Sequence, residues 1–378
     1  MYKSYKIRLY PTKEQEQKMW QHIGACRYIW NYMLALQQQR YQNGEKHLSH
    51  FDMIRLLTPL KKQDDYLWLQ EVSNKTLCAV CADLSFGYDK FFKKLSRFPK
   101  YKSRKKSKAI FPTRGEGTWF DGVTAHIEKI GKVKYKADFD LPLGRGNKFI
   151  NPRIYNKNDK WILSLSIECE NQVHKLTDKP MGIDLGIKET MTVAYGNECI
   201  VFHNINKSKT IRNLKKQMKH LQRSISRKYE ANKQGNKYIK TKNIERLEER
   251  LRKMYARLSN IRNNYIHQST HKLVSLLPCR VVMENLNVRG MMKNRHLSKA
   301  IQEQCFFEII QQMKYKCEWN GIPFYQVDRF YPSSKTCSCC GCIKSDLKLS
   351  DRTYICSECG TVIDRDFNAA INLQRYSA

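Results

Sequence analysis

Along residues 1–10, Tyr5, Ile7 and Leu9 alternate with Lys6, Arg8 and Tyr10, the period-two pattern of a half-buried strand. Pro11 and Thr12 interrupt it, and Thr12 followed by Gln15 predicts a capping box that opens a helix. From about residue 13 to 92 the pattern is helical, with Leu77, Cys81, Leu84, Tyr88 and Phe91 recurring at steps of three and four. Between 109 and 169 the period returns to two, with short strands expected at 124–127, 133–135 and 161–167 between turns rich in Gly, Pro and Asn. Because residues 1–10 are strand-like as well, the β module reads as split, a small barrel or sandwich with the helices inserted into it.

A second regime begins at Met181. Residues 181–195 read as strand, turn and strand around Ile183, Leu185 and Val193. Ile211, Leu214, Met218, Leu221 and Ile225 then step by three and four. After a break at Gly235-Asn236, Ile244, Leu247, Leu251, Met254, Leu258, Ile261 and Tyr265 do the same. Two such seams around a glycine break describe an antiparallel helical hairpin. An apolar strand at 280–284, a helix over about 297–320, a strand at 324–327 and a terminal helix at 367–373 complete the chain.

Charge narrows the possible partners. The 378 residues carry 69 Lys+Arg against 35 Asp+Glu, a formal net charge of +34. Solubility of a small domain needs only about 2–8 charges, so the excess points to a polyanion. No run of about 18 apolar residues suggests a membrane span, and the first residues have no apolar core of a signal peptide. The expected partner is nucleic acid and the expected setting is cytoplasmic. Two stretches concentrate the charge. Residues 90–108 hold ten Lys/Arg and no acid, interleaved with Phe91, Phe92, Phe98 and Tyr101. Residues 207–272 hold twenty Lys/Arg against four Glu. The first reads as a phosphate-binding strip, and the second as a structural seam with basic outer faces.

Six of the 14 cysteines lie between Cys337 and Cys359. Cys337, Cys340, Cys356 and Cys359 form two C-x-x-C-G knuckles, the spacing of a zinc ribbon. Gly341 and Gly360 permit the turn in which backbone N–H groups face sulfur. Four protein ligands leave no open position, so the expected zinc is structural. Cys339 and Cys342 are rival partners that give no symmetric pair. The other eight cysteines read as reduced, packed thiols.

Three acids stand out by where the pattern delivers them. Asp184 lies in an apolar strand between Gly182 and Gly186, Glu284 ends the strand at 280–284, and Asp364-Arg365-Asp366 opens the terminal helix. A buried carboxylate is costly unless paired or metal-bound. Three acids meeting from two strands and a helix can hold two divalent ions about 4 Å apart, the arrangement that hydrolyses phosphodiesters. Read singly, Asp184 fits a turn, Glu284 an ion pair with Arg280 or Arg289, and Asp366 a helix N-cap. Asp366 is the better ligand of its pair, with Asp364 an outer partner or a pair for Arg365.

At these motifs the chain resembles the TnpB (OrfB) family of insertion sequences, which is related to compact type V CRISPR effector nucleases. The carrying residues are Gly182 to Gly186, Met283 to Leu286, Ser333 to Gly341, Tyr354 to Gly360 and Asp364 to Ala370. Weaker similarities lie at Tyr5 to Thr12 and Phe98 to Ser103. The resemblance implies an α+β multidomain chain. Its wedge β-barrel would comprise residues 1–10 and 105–178, with a helical recognition insertion at 11–104. A RuvC-like domain of RNase H fold would comprise 179–336 and 361–378, interrupted by a zinc ribbon at 337–360.

The resemblance also implies catalysis by Asp184, Glu284 and Asp366 with two Mg²⁺ ions, and one zinc on the four knuckle cysteines. The expected partners are a transposon-derived guide RNA and double-stranded target DNA, cut beside a short transposon-adjacent motif, with one protein monomer on one guide RNA. Asn74, Lys75, Lys100, Lys102, Arg104, Lys105 and Lys106 are candidate nucleic-acid contacts. Two other readings compete: a guided binder that does not cut, and an unguided RuvC-like nuclease acting on branched DNA.

Overall fold

The computed structural model describes residues 2–137, 139–169, 174–348 and 351–376. Residues 170–173 of the expected β module and 377–378 of the expected nuclease segment lie outside the described residues. The chain divides into two compact units, Met1–Glu170 and Asn171–Ala378.

In the first unit, β1 (Tyr2–Tyr10) is followed by α1 (Lys13–Gln42), α2 (His50–Leu60) and α3 (Asn74–Phe92). Then come β2 (Ile110–Pro112), β3 (Trp119–Phe120), β4 (Thr124–Ile127), β5 (Gly131–Lys136), β6 (Ile150–Lys157) and β7 (Lys160–Glu168). The strands form one antiparallel sheet in the order β2-β6-β7-β1-β5-β4-β3. β1 sits at its centre, paired along its length with β7 from Tyr2↔Glu168 to Leu9↔Trp161. A first strand enclosed by later ones makes α1 to α3 an insertion in the sheet. The capping box is present: the Thr12 hydroxyl accepts from Gln15 N, and the Gln15 side chain accepts from Thr12 N. Alternation on β1 buries Ile7 and Leu9 in a core shared with Met19, Ile23 and Ile29 of α1 and Leu77, Cys81 and Leu84 of α3. β6 has no counterpart in the pattern reading, because Asn151, Pro152 and Asn156 interrupt its alternation.

The second unit opens with β8 (Pro180–Leu185), β9 (Glu189–Tyr195) and β10 (Glu198–His203). The hairpin follows: α4 (Lys209–Ala231), β11 (Lys233–Gln234), β12 (Lys237–Tyr238) and α5 (Lys242–Val274). Its seam is a small core of Ile211, Leu214, Met218 and Leu258. Gly235 takes a positive φ of 56° at the tip, where a side chain would be strained. Next are β13 (Arg280–Met283), α6 (Val288–Met291), α7 (Ser298–Gln304), α8 (Phe306–Trp319) and β14 (Phe324–Gln326). β15 (Thr353–Ile355), β16 (Val362–Asp364) and α9 (Arg365–Arg375) end the chain.

The main sheet runs β10-β9-β8-β13-β14, with β8, β13 and β14 parallel and β9 and β10 antiparallel. The single helix expected over 297–320 is two helices. Cys305 between them is left-handed at φ 56°, while the Gln304 side chain donates to Ile187 O and accepts from the Thr190 hydroxyl. That buried amide ties the end of α7 to the β8–β9 turn, and the chain must turn before α8 can resume. Among the described residues no helix is long and apolar enough to cross a membrane.

Candidate catalytic and metal-binding site

β8 and β13 run parallel in the register Ile183↔Met283. Asp184 and Glu284 are each the next residue, so both project from the same face at the C-terminal ends of neighbouring strands. Two residues back on β8, Gly182 carries no side chain because α9 lies directly on it. A Cβ there would collide with the Ala370 carbonyl oxygen and the Gln374 amide, and would lie 2.9 Å from Gln374 Cα. This close approach brings the first turn of α9, which carries Asp366, near enough for its charge to act on Asp184, although the three carboxylates do not form a set as tight as that of the four cysteines.

Burial pushes the Asp184 carboxyl well above the usual carboxylate range, and the charges of Glu284 and Asp366 push it further. By accessible surface the residue is half-buried. Glu284 is raised for the same reasons, burial first and then Asp366, while a hydrogen bond from the Ser333 hydroxyl pulls it back. A buried cluster of mutually repelling carboxylates suits a divalent cation, which relieves the repulsion and is chemically matched to hard oxygen donors.

Asp364 and Asp366 divide their work in a way the pattern left open. Asp364 caps α9, its Oδ1 accepting from the Asp366 and Phe367 amides at 2.9 and 3.0 Å. Asp366 carries the ion pair with Arg365, at 3.1 Å. The N-cap role read as an option for Asp366 and the Arg365 pairing read for Asp364 are therefore exchanged. A cap accepts from amides two and three residues on, which only the residue before the first helical turn can reach.

The four knuckle sulfurs all lie within 4.8 Å of one another, the sole such set of metal-type ligands among the described residues. Cys337 and Cys359 are 3.6 Å apart, and Cys340 and Cys356 are 3.5 Å apart. Zinc–sulfur bonds of about 2.3 Å in a tetrahedron place sulfurs about 3.8 Å apart, so the set fits zinc. Gly341 and Gly360 have φ of 77° and 69°, as each knuckle turn requires. Thr361 beside Cys359 pushes that thiol down to about 6. Neither Cys339 nor Cys342 belongs to the set.

Several positioning residues were missed by pattern reading. Asn368 accepts from Ser338 N and donates to Thr336 O, and Asn372 donates to Ser333 O and Thr336 O. Four residues apart on one face of α9, they fasten the first knuckle to the helix that carries Asp366. Their i, i+4 spacing in the sequence was the available signal. Nothing local marks Ser333 as the partner of Glu284.

The other candidates lie in the first unit. Trp30 Nε1 donates to Lys100 O, and Asn31 exchanges hydrogen bonds with Lys102 N and O, stapling the basic strip to α1. Lys102 is drawn in, its Nζ 3.4 Å from the Trp30 ring centroid, and burial lowers its pKa. Lys100, Arg104, Lys105 and Lys106 remain exposed, as does Lys75. Asn74 accepts from Lys61 Nζ at 2.7 Å.

The fold class is a mixed α+β chain with a zinc-ribbon-like module. The family described as Cas12f1-like, TNB domain matches residues 306–373, and the one described as probable transposase matches 164–295. A family described as helix-turn-helix domain matches residues 1–46, which here form a strand and one long helix. A Streptomyces pristinaespiralis protein named "Putative RNA-guided DNA endonuclease" is 30% identical, covering 98% of this chain and 88% of the relative. The Escherichia coli protein of that name called InsQ is 26% identical, covering 98% and 91%. The mini-RNA-guided endonuclease CRISPR-Cas_phi3 shares the fold at a TM-score of 0.53 and 11% identity, covering 99% of this chain and 92% of that one. The chain belongs to the TnpB family, related to the type V effectors.

Proposed function

We propose that this chain is an RNA-guided DNA endonuclease whose cutting centre is Asp184, Glu284 and Asp366. The observation that carries the reading is the register of β8 and β13, which sets Asp184 beside Glu284 at adjacent strand ends under the first turn of α9. The sheet order β10-β9-β8-β13-β14 supports a RuvC-like domain of RNase H type, and the strand enclosure of β1 supports a wedge module with a helical insertion. The family relatives named as RNA-guided endonucleases support a guide RNA and a DNA target as partners. The finer reading is a transposon-derived guide, a target beside a short flanking motif, and one protein per guide.

Two Mg²⁺ ions on the three carboxylates would activate a water and stabilise the leaving oxygen of the phosphodiester. The chain's own contribution is placement. The β8–β13 register sets Asp184 beside Glu284, Ser333 orients Glu284, and Arg365 holds Asp366. One zinc on Cys337, Cys340, Cys356 and Cys359 would fix the ribbon that Asn368 and Asn372 fasten to α9.

The experiment is to express the chain with the DNA flanking its gene, sequence the RNA that co-purifies, and offer a matching target with Mg²⁺. Asp184→Ala is expected to lower cleavage by about 10³-fold or more while guide and target binding persist. Cleavage at the wild-type rate would remove Asp184 from the centre. Absence of a discrete RNA would remove the guide.

A further inference from the structure

The second unit has a cleft that the carboxylate centre does not use. It encloses about 500 Å³ between α9 and the starts of β8 and β13, and its lining includes Pro180, Asn197, Arg280, Phe367, Ile371 and Arg375. One wall is the flank of α9, on which Phe367, Ile371 and Arg375 follow at helical spacing. The cleft therefore begins one residue from Asp366 and ends, eight residues or about 12 Å further along the helix, at Arg375. Arg280 reaches the same end on β13. It lies four residues before Glu284 and on the same face, about 13 Å away along the strand.

Arg280 lines the cleft with its charge paired to no carboxylate: its Nη2 donates to Gln374 O at 3.3 Å, and its Nε is turned into the protein without a partner. The guanidinium edge left toward the cleft matches the oxygens of a phosphate. Lys179 adds positive charge at this end, its stem beside Gly196 and its Nζ 5.6 Å from the Tyr195 ring. Arg375 already donates to Ser338 O, yet remains exposed on the lip. Phe367 and Ile371 give the wall between acids and arginines an apolar surface suited to sugar and base edges.

We infer that this cleft is a phosphate subsite for the DNA strand being cut. Arg280 and Arg375 hold a backbone phosphate two to four nucleotides from the scissile bond, given a rise of about 3.4 Å per stacked nucleotide. This inference rests on the proposed carboxylate centre being the one that cuts.

The test is an interference scan with the full chain carrying its co-purified RNA. Each substrate has a single methylphosphonate, which removes one phosphate charge, at successive positions along the cut strand. One position two to four nucleotides from the cut is expected to slow the wild type about tenfold. Arg280→Gln should slow cleavage of the unmodified strand to the same extent and lose nothing further at that position. Asn197→Asp, a surface change at the lip that leaves Arg280 in place, should slow the unmodified strand several-fold and more at low salt. Should Arg280→Gln prove unstable, Arg375→Gln and Asn197→Asp carry the same comparison. Equal sensitivity of wild type and variants at every position would overturn the subsite. Cleavage that survives Asp184→Ala would instead overturn the carboxylate centre, a different result from the same assay.

Discussion

Asp184 and Glu284 stand one residue beyond the same rung of a parallel ladder, the pair Ile183↔Met283, although 100 positions separate them in the chain. Parallel strands in register turn equivalent residues to the same face, so neither acid can move from the other without breaking the ladder. The arrangement holds two like charges together in a desolvated place, which is unfavourable for the protein alone. The molecule therefore carries a local instability that a cation or a proton relieves.

Removing one charge should reveal that instability. Both Asp184 and Glu284 have folded pKa values raised above their unfolded ones, so their contribution to stability is full below pH about 4. It is lost as pH rises through the folded values. In buffer without added divalent cation at pH 7.5, with the zinc left in place, Asp184→Asn is expected to melt above wild type, by roughly 2–4 °C per kcal/mol of relieved repulsion. The gap should close near pH 4, and Mg²⁺ should raise the wild type more than the variant. A wild type that melts as high as the variant without Mg²⁺ would argue that the cluster is not strained.

Gly182→Ala tests how α9 is held. Its methyl would enter the space of the Ala370 carbonyl and the Gln374 amide, both backbone, so the helix must move. Stability should fall by about 1–3 kcal/mol, and cleavage should fall with it because Asp366 rides on that helix. Thermal melts alongside cleavage rates check this; an unchanged rate would mean that the position of Asp366 is set elsewhere.

Ser333→Ala separates orientation from charge. The lost hydroxyl leaves Glu284 without the bond that favours its ionised form, so its pKa should climb further. The acidic limb of the pH–rate profile should move to higher pH, with the rate at alkaline pH less affected. A parallel loss at every pH would assign Ser333 to structure alone.

The knuckle assignment makes a paired prediction. Cys356→Ser should purify without stoichiometric zinc and unfold its C-terminal unit at lower temperature, by an effect on the order of several kcal/mol. Cys339→Ser, whose thiol lies outside the four-sulfur set, should keep its zinc. Elemental analysis of both variants decides between them.

Features encoded within one turn or one strand were legible in the chain. The Thr12–Gln15 box, the α4–α5 seam and the two C-x-x-C-G knuckles each depend on spacings of a few residues, and each is present. The acids were visible because apolar strands ending in a carboxylate are rare enough to notice. What the pattern missed was set by distant contacts. β6 is held by β7 despite its broken alternation, and α7 stops where Gln304 meets the β8–β9 turn.

The amino-acid order by itself determined the helical hairpin α4–α5, the spacing of the two knuckles, the charge that calls for a polyanion, and which acids were candidates. Only the tertiary structure decided that Asp364 caps while Asp366 pairs with Arg365 and acts on Asp184 through its charge, that Ser333 serves Glu284, and that Arg280 and Arg375 share one cleft. The reason is physical: period and spacing are local properties of the backbone. The meeting of β8, β13 and α9 depends on register and close packing between segments far apart in the chain, and no local pattern records it.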